Sequence, residues 1–239
     1  MALNARLQPL VCAVALWGAV VFAQEPSMPA TGPGASGPSE VHGFELGLRV
    51  GYGLPLGAAF QLPTGATTQN VNWSDLISGM IPFWADLGYR INPNWYVGGF
   101  FQFGLGFVPS NACSPGVSCS ANDLRFGLNV HYHFLPEGPV DPWFGLGAAY
   151  EIWNLSGSGA GVSGSSSLRG FEFGNAQLGA DYKVSPEFGI GPFVTFSVAQ
   201  FSDASASSGG LSLSGAIQNK SIHEWLIFGL RGVYDFGLD

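Results

Sequence analysis

His131 and His133 stand two residues apart, the spacing that puts two imidazoles on one face of an extended strand. Such a pair can hold a metal, but a protein site needs at least a third ligand, and none is evident nearby in the sequence. Both are therefore read as hydrogen-bonding groups, and no metal site is assigned. His223 has Ser221 and Glu224 beside it, the residue types of a nucleophile, base and acid set. Neighbouring residues of a strand face opposite ways, so the three do not converge, and no catalytic residues are assigned. Gly-x-Gly pieces recur, but never between a strand and a helix, which argues against nucleotide binding, and no cofactor is expected. The remaining chemistry is ionic. Glu45, Asp86, Glu151, Asp181 and Asp235 keep step with Arg49, Arg90, Arg125, Lys183 and Arg231 in segments of alternating polarity.

Those segments number eight, and all follow one pattern. In GFELGLRVGY, Phe44, Leu46, Leu48, Val50 and Tyr52 share one face, while Glu45, Gly47, Arg49 and Gly51 share the other. In DLRFGLNVHYHF, Leu124, Phe126, Leu128, Val130, Tyr132 and Phe134 oppose Arg125, Gly127, Asn129, His131 and His133. Six further segments, beginning near residues 81, 95, 143, 175, 189 and 225, repeat the alternation. A period of two is the strand period. Pro192 is the one misfit, since it removes a ladder donor, and a bulge is expected there. The links alternate in length. Short ones fall at 92–94, 135–141 and 184–187, and long ones at 54–79, 108–121, 154–168 and 202–222.

Composition points the same way. Only 10% of the 239 residues are charged, with 36 Gly and 19 Phe, where a soluble domain carries about 25% charged residues. Mean hydropathy is positive. Yet beyond the first 23 residues no apolar run approaches the roughly 20 residues of a membrane helix. The net charge of −8 and the lack of a Lys/Arg cluster exclude nucleic acid as a partner. Residues 1–23 combine an early Arg6, an apolar stretch and the small-residue ending of Val21-Phe22-Ala23, so they are read as a signal peptide. Residues 24–42 are rich in Pro, Gly and Ser and are read as a periplasmic linker, and 43–239 as the folded domain. In an exported chain, Cys113 and Cys119 within NACSPGVSCS are expected to form a loop disulfide.

The fold class that satisfies these patterns is all-β, an eight-stranded antiparallel up-and-down transmembrane barrel with a polar interior. Segments of about 9–11 residues suit tilted membrane strands, and closure removes edges that lipid could not hydrogen-bond. The apolar face is bulky and nearly free of charge. Placed toward lipid at mid-membrane, each Arg or Lys would cost roughly 2–4 kcal/mol. The charged face therefore belongs inside, where equal numbers of acids and bases make pairing feasible. Aromatic residues near the segment ends, Tyr89, Trp95, Trp143, Trp153, Tyr182, Trp225, Tyr234 and Phe236, are read as interfacial girdles.

Over residues 43–236 the strand alternation, the alternating connections and the closing GLRGVYDF make the sequence resemble the small eight-stranded outer-membrane barrels of the OmpA/OmpX/OmpW type. The resemblance implies recognition of the last strand by the barrel-assembly machinery, with Tyr234 and Phe236 at the alternating aromatic positions. It also implies an outer-membrane lipid environment, chain ends in the periplasm and long loops outside. Three functions stay open. One is a structural or surface-interaction barrel whose lumen is filled by ion pairs, its surface partner unnamed. The second is a narrow, porin-like channel, with lumen glycines such as Gly47, Gly104 and Gly147 leaving the path. The third is a lipid-modifying enzyme, as in some relatives of this class.

Overall fold

The computed structural model describes residues 43–64, 67–113, 115–159 and 161–236, so the expected signal peptide and linker lie outside the described residues. Ten strands and one helical turn are present: β1 (Gly43–Thr64), β2 (Thr67–Asn72), α1 (Trp73–Leu76), β3 (Gly79–Arg90), β4 (Trp95–Phe107), β5 (Ser118–His133), β6 (Val140–Gly159), β7 (Val162–Lys183), β8 (Phe188–Ser208), β9 (Leu211–Ala216) and β10 (Ile222–Phe236). Eight of them form an antiparallel ring, in the order β1, β3, β4, β5, β6, β7, β8, β10. β10 closes it by pairing with β8 on one side and β1 on the other.

The two walls of the ring differ as the alternation demands. Leu48, Leu87, Phe101, Leu128, Leu146, Leu178 and Leu230 stand exposed on the outside. Their sequence neighbours Arg49, Asp86, Gln102, Asn129 and Gln177 are buried inside. An exposed apolar wall around a buried charged core is the inverse of a water-soluble barrel and matches a lipid solvent. At the end carrying the short turns, Trp95 packs edge-on to Tyr132 at 5.0 Å and Tyr234 lies 4.7 Å from Phe236.

Three of the four long connections are hairpins, and the one after β4 is irregular as far as β5. β1 runs on to Thr64 and folds back as β2, β6 and β7 extend to meet at residues 159–162, and β8 and β9 form a third hairpin. Gly/Ser-rich sequence gave little reason to expect strands at 154–168 or 202–216, whereas at 54–64 Leu54, Leu56, Ala58, Phe60 and Leu62 continue the alternation of β1. Pairing supplies partners for the backbone N–H and C=O groups that an irregular loop would leave to water, so the ladder continues past the apolar wall. The disulfide Cys113–Cys119 lies at this end. Pro192 makes no bulge: Gly179 faces Phe193 and Tyr182 faces Ile190 in one register, and the β7–β8 ladder simply lapses between them. Bulges occur instead opposite Ala148 and around Phe173, where β7 slips phase by one residue.

Candidate functional site: the closed lumen

Within the ring, charged side chains gather in two linked clusters. Nearer the short turns, Arg231 bonds to Glu45 at 2.5 Å and to Asp181. Arg90 Nε donates to Glu45 at 2.7 Å and lies 3.2 Å from Asp235. Arg49 Nε donates to Asp86 at 2.7 Å and Nη1 to Gln177 at 2.7 Å, and Asn129 donates to Asp86 at 2.7 Å. Nearer the hairpins, Arg125 serves three carboxylates, Asp123 at 2.9 Å, Glu151 at 2.7 Å and Glu172 at 3.0 Å. Gln177 donates to Asn175 at 2.7 Å, and Asn175 donates to Glu172, which joins the clusters. Buried charges persist when paired and hydrogen-bonded, and each guanidinium here has both.

Indole rings fill the space between. Arg49 stacks over Trp84 at 4.7 Å and Trp143 at 5.2 Å, and Arg231 over Trp143 at 4.8 Å, geometry that favours a cation at an aromatic face. Trp84 and Trp153 donate their indole N–H groups to Asp86 and Glu151, at 3.0 and 2.7 Å. Above Arg125, α1 lies over the hairpin end of the lumen. Trp73 opens this single turn, which Ile77 ends in extended conformation, and its indole packs into the barrel mouth. Trp73 is completely buried, 5.2 Å from Trp153, 5.3 Å from Phe201 and 5.6 Å from the His223 ring. Ile77 and Met80 are buried with it.

Several expected roles change. Trp143, Trp153 and Trp225, assigned above to the girdles, have almost no exposed surface. They share parity with Gly145, Glu151 and Arg231, and because alternation runs unbroken to the strand ends they face inward. Tyr89, Trp95, Tyr182, Tyr234 and Phe236 face outward. Lys183 joins no ion pair among the described residues. It is the last residue of β7 and donates to the Pro136 carbonyl, holding the neighbouring turn. Asp123, Asp141 and Glu172 are lumen acids not anticipated. Asp123 shares the parity of Arg125 and was legible on that ground. Asp141 was taken as turn, but β6 starts at Val140. Glu172 is turned inward by the phase slip around Phe173, although its place between Phe171 and Phe173 was a signal. Equal pairing therefore gives way to seven buried carboxylates, with half-buried Asp235 as an eighth, around four guanidiniums.

The lumen glycines do not mark free space. A Cβ on Gly179 would lie 2.4 Å from the Trp143 ring, on Gly106 2.9 Å from Trp153, on Gly145 2.6 Å from His131, and on Gly104 2.9 Å from Met80 Sδ. Each of these four makes room for a large side chain from a nearby strand, as close packing requires. Gly179→Ala is expected to destabilise the barrel by about 1–3 kcal/mol through overpacking, measured from the urea midpoint in lipid vesicles. Gly174→Ala, whose added atom would meet only the Gly147 carbonyl at 3.9 Å, should leave the midpoint nearly unchanged. Equal losses at both positions would remove packing as the reason for the lumen glycines.

The sequence matches no protein-family model and no curated protein sequence. Among solved structures the chain is similar to the outer membrane protein OprG of Pseudomonas aeruginosa, at 13% identity over 83% of this chain and 98% of that one, TM-score 0.49. Neisserial surface protein A is 14% identical over 81% and 97%, TM-score 0.47. Ail, the attachment invasion locus protein of Yersinia pestis, is 14% identical over 80% and 98%, TM-score 0.41. By its own ring of eight strands, its lipid-type outer wall and its charged interior, the chain has the architecture of the small outer-membrane β-barrels of the OmpA/OmpX/OmpW type.

Proposed function

We propose that this outer-membrane barrel is a structural or surface-interaction protein and not a conduit. The observation that carries the reading is the filled lumen. Trp73 and its aromatic neighbours stop the hairpin end, and the joined arginine–carboxylate clusters occupy the rest. The short turns and the chain ends beside them, at Gly43 and Phe236, face the periplasm, and the three long hairpins stand outside the cell, as expected where short turns are periplasmic. What the barrel offers a partner is then the hairpin surface, Ser/Gly-rich along β6 to β9 with Leu62, Leu211 and Leu213 exposed on it, held in place by continuous pairing. Lipid surrounds the wall, and β10 with its GLRGVYDF ending is the strand presented to the barrel-assembly machinery. A hydrolytic role finds little support, because His223 is wholly buried, bonded to Glu151 at 2.9 Å and stacked on Phe201 at 4.1 Å. A general base needs hydrogen-bond reach to its substrate.

Planar-bilayer conductance of the folded chain tests the reading. The expected record is silent, with folding confirmed in the same sample by the heat-modified gel shift of a closed barrel. Discrete current steps that shrink when Gly104 or Gly147 is replaced by a bulky residue would overturn it in favour of the channel.

A further inference from the structure

We infer that Glu45, His131 and His133 form a binding site for a divalent transition-metal cation of the Zn²⁺ type, inside the turn end of the barrel. Their ligand atoms lie within 4.8 Å of one another, and all three side chains are fully buried. Glu45 is on β1 and the histidines on β5, strands separated in the ring by β3 and β4, so only closure of the barrel brings the third ligand to the pair.

The histidines are set up for ligation. His133 Nδ1 lies 2.8 Å from Asp141 Oδ2. A carboxylate only accepts, so Nδ1 carries the proton and Nε2 keeps a free lone pair. That nitrogen is buried without a hydrogen-bond partner. A carboxylate behind a ligating imidazole is the usual way of fixing its tautomer and orientation. The His131 ring is clasped between Tyr96 at 4.8 Å and Trp143 at 4.9 Å, and its Nδ1 is also buried without a partner. Arg49 approaches its other nitrogen at 3.4 Å. Ligation at Nδ1 would move the ring proton to Nε2, so the Arg49 guanidinium, which only donates, would have to turn from that nitrogen toward its Asp86 and Gln177 partners.

Charge supplies a second line of support. In this half of the lumen Glu45, Asp86, Asp141, Asp181 and Asp235 outnumber the buried Arg49, Arg90 and Arg231 by two negative charges, with Lys183 part-buried at the rim on the Pro136 carbonyl. A divalent cation would cancel them, and uncompensated buried charge is costly. Glu45 already takes bonds from Arg90 and Arg231, but a carboxylate has about four acceptor sites. Two imidazoles and a carboxylate suit zinc, copper or nickel over calcium or magnesium. Arg90 and Asp235, both beside Glu45, keep 7% and 14% side-chain exposure.

The test uses the full chain, folded in detergent, with Zn²⁺ and Co²⁺ alone as probes. Stoichiometric uptake by calorimetry is expected, with Co²⁺ absorption bands of a nitrogen–oxygen site. In the unmutated protein the ¹⁵N resonances of His133 Nε2 and His131 Nδ1 should move, while those of His223 stay in place. Asp141→Asn should weaken binding by about 10–100-fold, and His133→Ala should abolish it. A folded wild-type barrel that takes up no metal at excess, or one that does so while His131 and His133 stay unperturbed, would overturn the assignment.

Discussion

Arg125→Ala is expected to destabilise the barrel by about 3–5 kcal/mol, the cost of removing one partner from a buried ionic group. Arg125 is 1% exposed and donates to Asp123, Glu151 and Glu172 from three different strands. Without it, three buried carboxylates retain only neutral donors and His223, namely Gln102 on Asp123, Asn175 on Glu172, and Trp153 with His223 on Glu151. Arg125→Lys should recover only part of the loss. One ammonium has three donors on a point charge, whereas the planar guanidinium reaches all three acids with five. Equilibrium unfolding in urea from lipid vesicles, followed by tryptophan emission, measures both. A loss below about 1 kcal/mol would mean that the carboxylates are neutralised some other way, and the network would no longer explain why the interior is charged.

Leu128→Arg should cost roughly 2–4 kcal/mol by the same assay, the depth-dependent penalty for a cation on the lipid face at mid-membrane. Leu128 is the central member of the outward series Leu124, Phe126, Leu128, Val130 and Tyr132 on β5, and at 72% exposure it has the barest side chain of that row. One residue on, Asn129 is buried and bonded to Asp86. A water-soluble barrel would accept Arg at an exposed position almost without loss. An unchanged stability in vesicles would therefore mean that hydrocarbon does not surround this wall.

Much of this molecule is local in origin. Period-two alternation assigned Arg49, Asp86, Arg125 and Arg231 to one face and Leu48, Leu87, Phe126 and Leu230 to the other, because a strand's side chains have no other choice of direction. The poverty of charge on the second face settled which wall meets lipid. The alternation of short and long links gave the expected side of each connection and of the chain ends. Depth, however, is not a sequence property. Trp143, Trp153 and Trp225 carry inward parity, yet their place near strand ends was taken for a girdle, because the period gives a face but not the level at which the wall stops. The Gly/Ser hairpins have no apolar face to signal strands, and only pairing across the ring makes them so.

Other features needed the closed ring itself. A one-residue slip inverts every later side chain, so the bulge around Phe173 decided that Glu172 faces Arg125. Trp73 lay in a stretch read only as a long link, and its insertion among Trp153, Phe201 and Trp225 depends on the mouth those strands build. His131 and His133 announced a shared face and lacked a third ligand, which β1 delivers from the far side of β3 and β4. Sequence thus determined the direction of each side chain, strand by strand. The tertiary structure decided which side chains meet, because contact across a barrel depends on strand number and stagger, quantities that belong to the ring and to no single strand.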